Sequence, residues 1–284
     1  MAIAESELII NQNGTVYHLN LLPEHISDTI ITVGDPERVA KVSKYFDEIE
    51  VKVAKREFVT HTGYYKGKRL TVISTGMGTD NIDILMNELD ALVNIDFQSR
   101  EINEEKIKLR IVRIGTSGSL QEDVPLGGHL ASHTSMGLDT LMEFYPLEQS
   151  EEETSIATAL QKELGIGFRP YCVTASQSLI DKIAYDMIPG NTLTCPGFYA
   201  PQGRVLRGGL KNTELLHTYN SFRHNDYRLT NFEMETAGYY SMGRILGHEM
   251  LSLNAIVANR ITQEFAENAE EVIDELILKV LDRI

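Results

Sequence analysis

A short β-branched run, Thr29-Ile30-Ile31-Thr32-Val33, passes without a linker into Gly34-Asp35-Pro36-Glu37-Arg38 and then into a helical pattern from Val39 to Phe46. Strand, glycine-bearing turn and helix in immediate succession form the unit from which α/β domains are assembled. Gly34 lets a ligand approach the backbone, Pro36 suits a first helical position, and Arg38 lies one turn in. The unpaired N–H groups and dipole of a helix N-terminus favour an anion, so an added guanidinium there makes a sound phosphate site. An ordinary strand-to-helix turn with a solvated Arg38 fits the same residues.

The pattern recurs along the chain. Leu109 to Ile114 reads as a strand running into Gly115-Thr116-Ser117-Gly118, expected to be a tight turn rich in backbone donors and hydroxyls. Arg113 closes a buried strand and must find an anionic partner, because an unpaired buried guanidinium is very costly. That partner is either a bound anion or a carboxylate of the protein. Val51 to Thr60 reads as one strand holding Arg56-Glu57-Phe58, and Tyr64 to Thr75 as a hairpin turned at Lys66-Gly67-Lys68. Gly76-Met77-Gly78 bends the chain into a helix near Asp80, whose side chain is a candidate cap. Asn94 to Lys108 is polar and reads as a surface extension. Leu130 to Ser135 and Tyr171 to Thr174 are further strands, Glu151 to Leu164 is helical, and Ala269 to Ile284 carries an apolar stripe for core packing. These elements predict one α/β domain over residues 1–284, with a mixed central sheet flanked by helices, a site at strand C-termini, and residues 1–15 as a loose arm.

Two later stretches carry chemistry of their own. In Asn231-Phe232-Glu233-Met234-Glu235-Thr236 two carboxylates flank a thioether just before a helical run, Ala237 to Leu246. Glu235 at the start of that helix is favoured by the dipole and accepts well from sugar hydroxyls, while Met234 offers a soft wall to an apolar sugar face. An acidic first turn is the plainer reading. In Phe198-Tyr199-Ala200-Pro201-Gln202-Gly203-Arg204, Gln202 and Arg204 supply one acceptor and several donors, enough for the edge of a flat uracil, and Phe198 supplies a stacking face. A Gly/Pro-rich surface loop is the plainer reading there.

These stretches, in this order and rough spacing, resemble the nucleoside phosphorylase family from about Tyr17 to the C-terminus, and Phe198 to Arg204 looks like its uridine phosphorylase branch. The resemblance implies the nucleoside phosphorylase fold and a homodimer or higher homo-oligomer with shared active sites. It implies reversible phosphorolysis of uridine to uracil and ribose 1-phosphate in pyrimidine salvage, with inorganic phosphate as co-substrate and no organic cofactor or metal. By residue, it implies a phosphate subsite of Gly34, Arg38, Arg113, Thr116 and a neighbouring subunit's Arg56. Ribose would be held by Met234 and Glu235 with Glu233 in support, and by a neighbour's His18 at the 5′-hydroxyl. The base would be held by Phe198, Gln202, Arg204 and Arg260, the last through water. Arg113, Glu235, Gln202 and Arg204 would carry the chemistry. Purine-cleaving relatives place an acid where this chain has Asn259. Some relatives also hold a monovalent cation between subunits, at positions that here read Glu57, Met77 and Asn81. A nucleosidase on the same fold and a non-catalytic nucleoside-binding protein are the rival readings.

Composition narrows the partners. With 26 basic against 41 acidic side chains the formal charge is -15, which opposes general binding to nucleic acid or anionic membranes and requires any anion site to be local. Cys172 and Cys195 show neither metal-ligand spacing nor a disulfide framework, and no stretch approaches the length of a membrane span. The expectation is a soluble cytoplasmic protein.

Overall fold

The computed structural model describes residues 2–284. The chain forms β1 (Thr29–Val33), α1 (Pro36–Ser43), β2 (Glu48–Lys55), β3 (Phe58–Tyr65), β4 (Lys68–Ser74) and α2 (Thr79–Asn94). A small pair, β5 (Ile95–Asp96) and β6 (Glu101–Ile102), precedes β7 (Arg110–Ser119), β8 (His129–Gly137), α3 (Glu151–Leu164), β9 (Tyr171–Thr174), α4 (Gln177–Ile183) and β10 (Ile188–Thr194). Then come α5 (Leu215–Ser221), the short β11 (Arg223–His224) and β12 (Tyr227–Arg228), β13 (Asn231–Glu233), α6 (Thr236–Leu246), β14 (Glu249–Asn259), β15 (Glu264–Phe265) and α7 (Ala269–Arg283).

One mixed sheet organises these elements, and part of it closes on itself. Strands β7, β14, β8, β10 and β13 pair in that order, and β13 returns to β7 to complete a ring. From β7 the sheet continues outward through β1, β4, β3 and β2. β1 lies between parallel partners β4 and β7 and is buried at every position, which is why its sequence is β-branched throughout rather than alternating. Helices α1, α4 and α7 cover one apolar cluster, and α2 and α6 cover another. The stripe Ile273, Leu276, Ile277, Val280 and Leu281 of α7 is buried in the first cluster.

Several local expectations are corrected. The stretch Val51 to Thr60 is two strands, because the chain reverses at Arg56-Glu57 with Arg56 in the left-handed region at φ 56°. No glycine or asparagine marks that turn, so composition could not reveal it. The stretch Gly115 to Gly118 is part of β7, paired with β14 on one edge and, at Gly118, with β13 on the other. Its glycines serve close packing: a Cβ on Gly115 would collide with the Arg113 guanidinium, and one on Gly118 would stand 3.2 Å from the Phe232 ring. Asp80 does not cap α2; Gly78 occupies that position at φ 96°, where a Cβ would meet Asp80 Oδ1 at 2.6 Å. The segment expected as a loose arm is tied to the extension around Arg100, whose Nε donates to Ile3 O at 2.8 Å and whose carbonyl accepts from Ile3 N at 2.7 Å. Among the described residues no helix is long and apolar enough to cross a membrane, and no cluster of three or more His, Cys, Asp or Glu is arranged to hold a metal ion.

Candidate active site

Arg113 in the first half of β7, Glu233 at the end of β13 and Glu235 just beyond it bring three charges to one buried point. Arg113 Nη2 donates to Glu235 Oε2 at 2.6 Å and lies 3.1 Å from Glu233 Oε2, and all three side chains are buried. On the other side, Arg113 Nη1 donates to Ser252 Oγ at 3.3 Å and Asn254 Oδ1 at 3.1 Å, both on β14. Burial alone would depress Arg113, but Glu233 and Glu235 outweigh it and hold the guanidinium above its ordinary value. Burial pushes the Glu235 carboxyl up, opposed by Arg113 and reinforced by Glu233. The two carboxylates differ in how they are used. Glu233 accepts from the Glu235 and Thr236 backbone N–H groups and from Thr194 Oγ1, so it pins the start of α6. Glu235 has the Gly78 N–H at 2.9 Å and Arg113 as its partners, which leaves acceptor capacity on a carboxylate.

Arg38 approaches the same point from α1. Its Nη1 reaches Ile114 O at 3.4 Å, and its value is held below the ordinary one by burial first and by Arg113 second. A buried guanidinium facing a second one would be relieved by a bound anion. Asp35 caps α1 by accepting from Glu37 N at 2.9 Å, and Pro36 takes the first helical position. Gly34 and Thr116 are half-buried at the ends of β1 and within β7, and the Gly34 carbonyl accepts from Gly76 N at 2.9 Å.

Across Phe232 lies a second cluster. Gln202 is buried on a single 3-10 turn, Ala200–Gln202, and Arg204 Nη1 donates to Gln202 Oε1 at 2.5 Å and to Phe198 O at 2.7 Å. The Arg204 guanidinium stacks 3.7 Å above the exposed Phe198 ring and 5.9 Å from Phe232, while Arg260 approaches Phe232 at 5.7 Å and donates to Gln202 O at 3.1 Å. Burial, then the Arg260 charge, pushes Arg204 down to about 10, so this guanidinium sits where an electron-rich partner is favoured. Met234 is half-buried between this cluster's Phe232–Glu233 strand and Glu235 in sequence. Asn259 is buried with both ends of its amide engaged, donating to Gln121 O and accepting from Ile261 N and Thr262 N.

Arg56 and His18 have their partners elsewhere. Exposed Arg56 lies 6.0 Å from the Tyr17 ring, and the His18 ring packs edge-on against Tyr17 at 4.7 Å with Nδ1 2.6 Å from Glu88 Oε1. The structure thus gathers these two residues into one surface patch and gathers Arg38, Arg113, Glu233 and Glu235 into another site, with Gly34 and Thr116 on the adjoining strands. Glu57 and Asn81 do meet, at Gly76, and Asn81 Nδ2 donates to the Met77 carbonyl at 3.2 Å. Residue-by-residue reading missed Ser252, Asn254, Thr194 and Glu88. For the first two a signal existed: polar side chains at alternate positions of the otherwise apolar run Leu251 to Ile256, on the face of β14 that Arg113 reaches.

A family model described as the phosphorylase superfamily matches residues 28–282. The chain belongs to the phosphorylase superfamily. Among characterised members it is similar to a uridine phosphorylase of Thermococcus kodakarensis, 29% identical over 260 residues covering 92% of this chain and 83% of that protein. It is also similar to a DeoD-type purine nucleoside phosphorylase of Thermoanaerobacter sp., 28% identical and covering 89% and 91%. Among solved structures, a Trypanosoma brucei nucleoside phosphorylase, described as showing uridine phosphorylase activity, superposes with a TM-score of 0.87 at 27% identity over 98% of this chain and 100% of that one. A superfamily that spans both base classes leaves base choice to the residues of the site.

Proposed function

We propose that this chain is a uridine phosphorylase, a cytoplasmic enzyme of pyrimidine salvage that works without an organic cofactor. The observation that carries the reading is that β13 joins the two groups, Glu233 lying beside Arg113 of the Arg38/Arg113/Glu235 centre and the preceding residue, Phe232, beside Arg260 and beside Arg204 of the Gln202/Arg204/Phe198 cluster. The first suits a phosphate beside a sugar. The second suits a flat base with alternating acceptor and donor groups on its edge.

In this reading the phosphate lies at Gly34, Arg38 and Thr116 and takes the Arg113 Nε–H, the one guanidinium donor without a hydrogen-bond partner among the described residues. Glu235 accepts from the ribose hydroxyls with the capacity its two partners leave, Met234 lines the sugar, and Glu233 fixes both through α6. A phosphate oxygen forms a bond to the anomeric carbon as the bond to the uracil N1 breaks. The electron pair departs with the base, spreads over its carbonyl oxygens, and is neutralised by a proton from solvent. Gln202 and Arg204 stabilise that developing charge, with Arg260 acting through water, and the phosphate dianion stabilises the cationic sugar. Each subunit's Arg56 and His18 complete a neighbour's site, consistent with their shared surface patch, so the working unit is a homodimer or larger.

The test is product formation from uridine, inosine and adenosine with and without phosphate. Uridine cleavage that needs phosphate and releases ribose 1-phosphate is the expected result. Equal turnover in phosphate-free buffer would identify a nucleosidase, and binding without turnover a nucleoside-binding protein.

A further inference from the structure

The acceptors behind Arg113 belong to a chain of hydrogen bonds that runs once round the closed ring of strands. Arg113 Nη1 on β7 donates to Asn254 Oδ1 on β14 at 3.1 Å, and Asn254 Nδ2 donates to Ser132 Oγ on β8 at 3.1 Å. Ser132 Oγ lies 2.6 Å from Thr192 Oγ1 on β10, Thr192 Oγ1 donates to Asn231 Oδ1 on β13 at 2.9 Å, and Asn231 Nδ2 donates to Ser117 Oγ on β7 at 3.0 Å. Because the Thr192 proton goes to Asn231, the Ser132 hydroxyl must be the donor to Thr192. Every link therefore points the same way, from the guanidinium round to Ser117. All six side chains are buried, and four of them, Asn254, Ser132, Thr192 and Asn231, have no exposed surface at all.

Such a belt is costly unless every member is satisfied, and satisfied belts fix a single arrangement. We propose that Asn254 is a positioning residue for the phosphate subsite, held in one amide orientation by the belt so that it fixes the Arg113 guanidinium. Without it only the longer contact to Ser252 Oγ, at 3.3 Å, opposes Glu233 and Glu235, which draw the guanidinium to their side and rotate the Nε–H away from the anion. With its oxygen on Nη1, the amide opposes that pull from the β14 side. Gly115 leaves the space for the guanidinium to lie between the two sets of acceptors. This inference rests on the reading of the site as a phosphate subsite.

The experiment measures the phosphate and uridine KM and the kcat of wild type, Asn254→Ala, and Thr192→Val. The last removes a hydroxyl three links from Arg113 at nearly constant volume. Asn254→Ala is expected to raise the phosphate KM about tenfold to a hundredfold, the effect of losing one hydrogen bond to a charged group. The uridine KM should rise by a clearly smaller factor, because Gln202 and Arg204, which would hold the base, bond to no member of the belt and only Glu235 links the two subsites. Thr192→Val should shift the phosphate KM in the same direction by a smaller factor, with a melting curve showing that the protein is folded. If Asn254→Ala does not fold, Thr192→Val and Ser132→Ala carry the test by the same split. Unchanged phosphate KM in folded variants, or equal rises for both substrates, overturns the positioning role. A wild type that cleaves uridine without phosphate would instead overturn the functional reading on which it rests.

Discussion

The two halves of the site are built by opposite means. The Arg113 centre is set on strands and a helix start, with Glu233 ending β13, Glu235 at the start of α6, Arg113 on β7, and Ser252 and Asn254 on β14, every one of them buried. The base-side cluster hangs on a single 3-10 turn, with Phe198 exposed and Arg204 partly so, and it is held by stacking and by hydrogen bonds from the long side chains of Arg204, Arg260 and Tyr219. The first half is over-determined and rigid. The second rests on a loop, the kind of element on which binding specificity is most readily altered without disturbing the scaffold.

If the centre is rigid because its charges neutralise one another, Arg113→Ala breaks it most severely. Two buried carboxylates lose their counter-charge, so stability should fall by about 3–5 kcal/mol. Efficiency on uridine should fall by about two to three orders of magnitude, as for loss of a transition-state electrostatic donor. Denaturant melts and kcat/KM on one preparation check both. Loss of stability with undiminished efficiency would reduce Arg113 to a structural ion pair.

Gln202→Ala should cost less stability. Gln202 is buried but carries no charge, and its Oε1 accepts from Arg204, so stability should fall by only about 1–3 kcal/mol, while kcat/KM for uridine drops by about two orders of magnitude. The phosphate KM should stay within about twofold, because the subsites share no proposed ligand. A parallel rise in phosphate KM would show that the halves are coupled through Phe232 rather than independent.

The carboxyl of Glu235 gives a graded version of the same contrast. Its value is raised in the fold, by burial first, so it keeps its proton to a higher pH than it does in the unfolded chain. Its contribution to stability is therefore present below its unfolded value and is lost as pH rises through the folded one. Activity runs the other way, since only the carboxylate accepts from two sugar hydroxyls. Across this window, above the usual carboxylate range, kcat/KM should climb about tenfold per pH unit at its steepest as the group ionises. The Glu235→Gln variant should lose activity together with that limb. A limb unchanged in Glu235→Gln assigns the titration to another group.

What could be read from the chain divides along the same line. The strand-turn-helix at Thr29 to Arg38, the carboxylates before α6 and the Phe198 to Arg204 loop are contiguous, so their residue order already offered each as a candidate site beside its plainer reading. Arg113 posed a choice between a bound anion and a protein carboxylate, and the fold supplies carboxylates directly, while the Nε–H and Arg38 keep an anion role open. The turn at Arg56-Glu57 and the continuation of β7 through Gly115 to Gly118 were not legible, because both are decided by pairing with distant strands. The hydrogen-bonded belt was least legible of all. Its members are Ser, Thr and Asn on separate strands, each unremarked alone, and only closure of the ring brings them together.

The smallest effect is expected at Asn259, where a purine-directed acid would be sought. Its amide nitrogen donates to Gln121 O at 3.0 Å, and its oxygen accepts from Ile261 N at 2.9 Å and Thr262 N at 3.1 Å. Asn259→Asp keeps the second role and turns the first into an oxygen facing an oxygen, at a cost of about 1–3 kcal/mol for the lost donor in a buried place. The new carboxyl can relieve that clash by taking a proton and giving it to Gln121 O, and it then has no proton to offer a base. Uridine efficiency should fall only a few-fold, through strain passed to neighbouring Arg260, of the order of about 1 kcal/mol. Inosine turnover should not rise, because Gln202 and Arg204 still present a surface suited to uracil and leave their donors unpaired against a purine. Measuring kcat/KM for both nucleosides on Asn259→Asp separates the two ideas of base choice: a gain for inosine would place the decision at the rigid strand end of β14, and its absence keeps the decision on the loop.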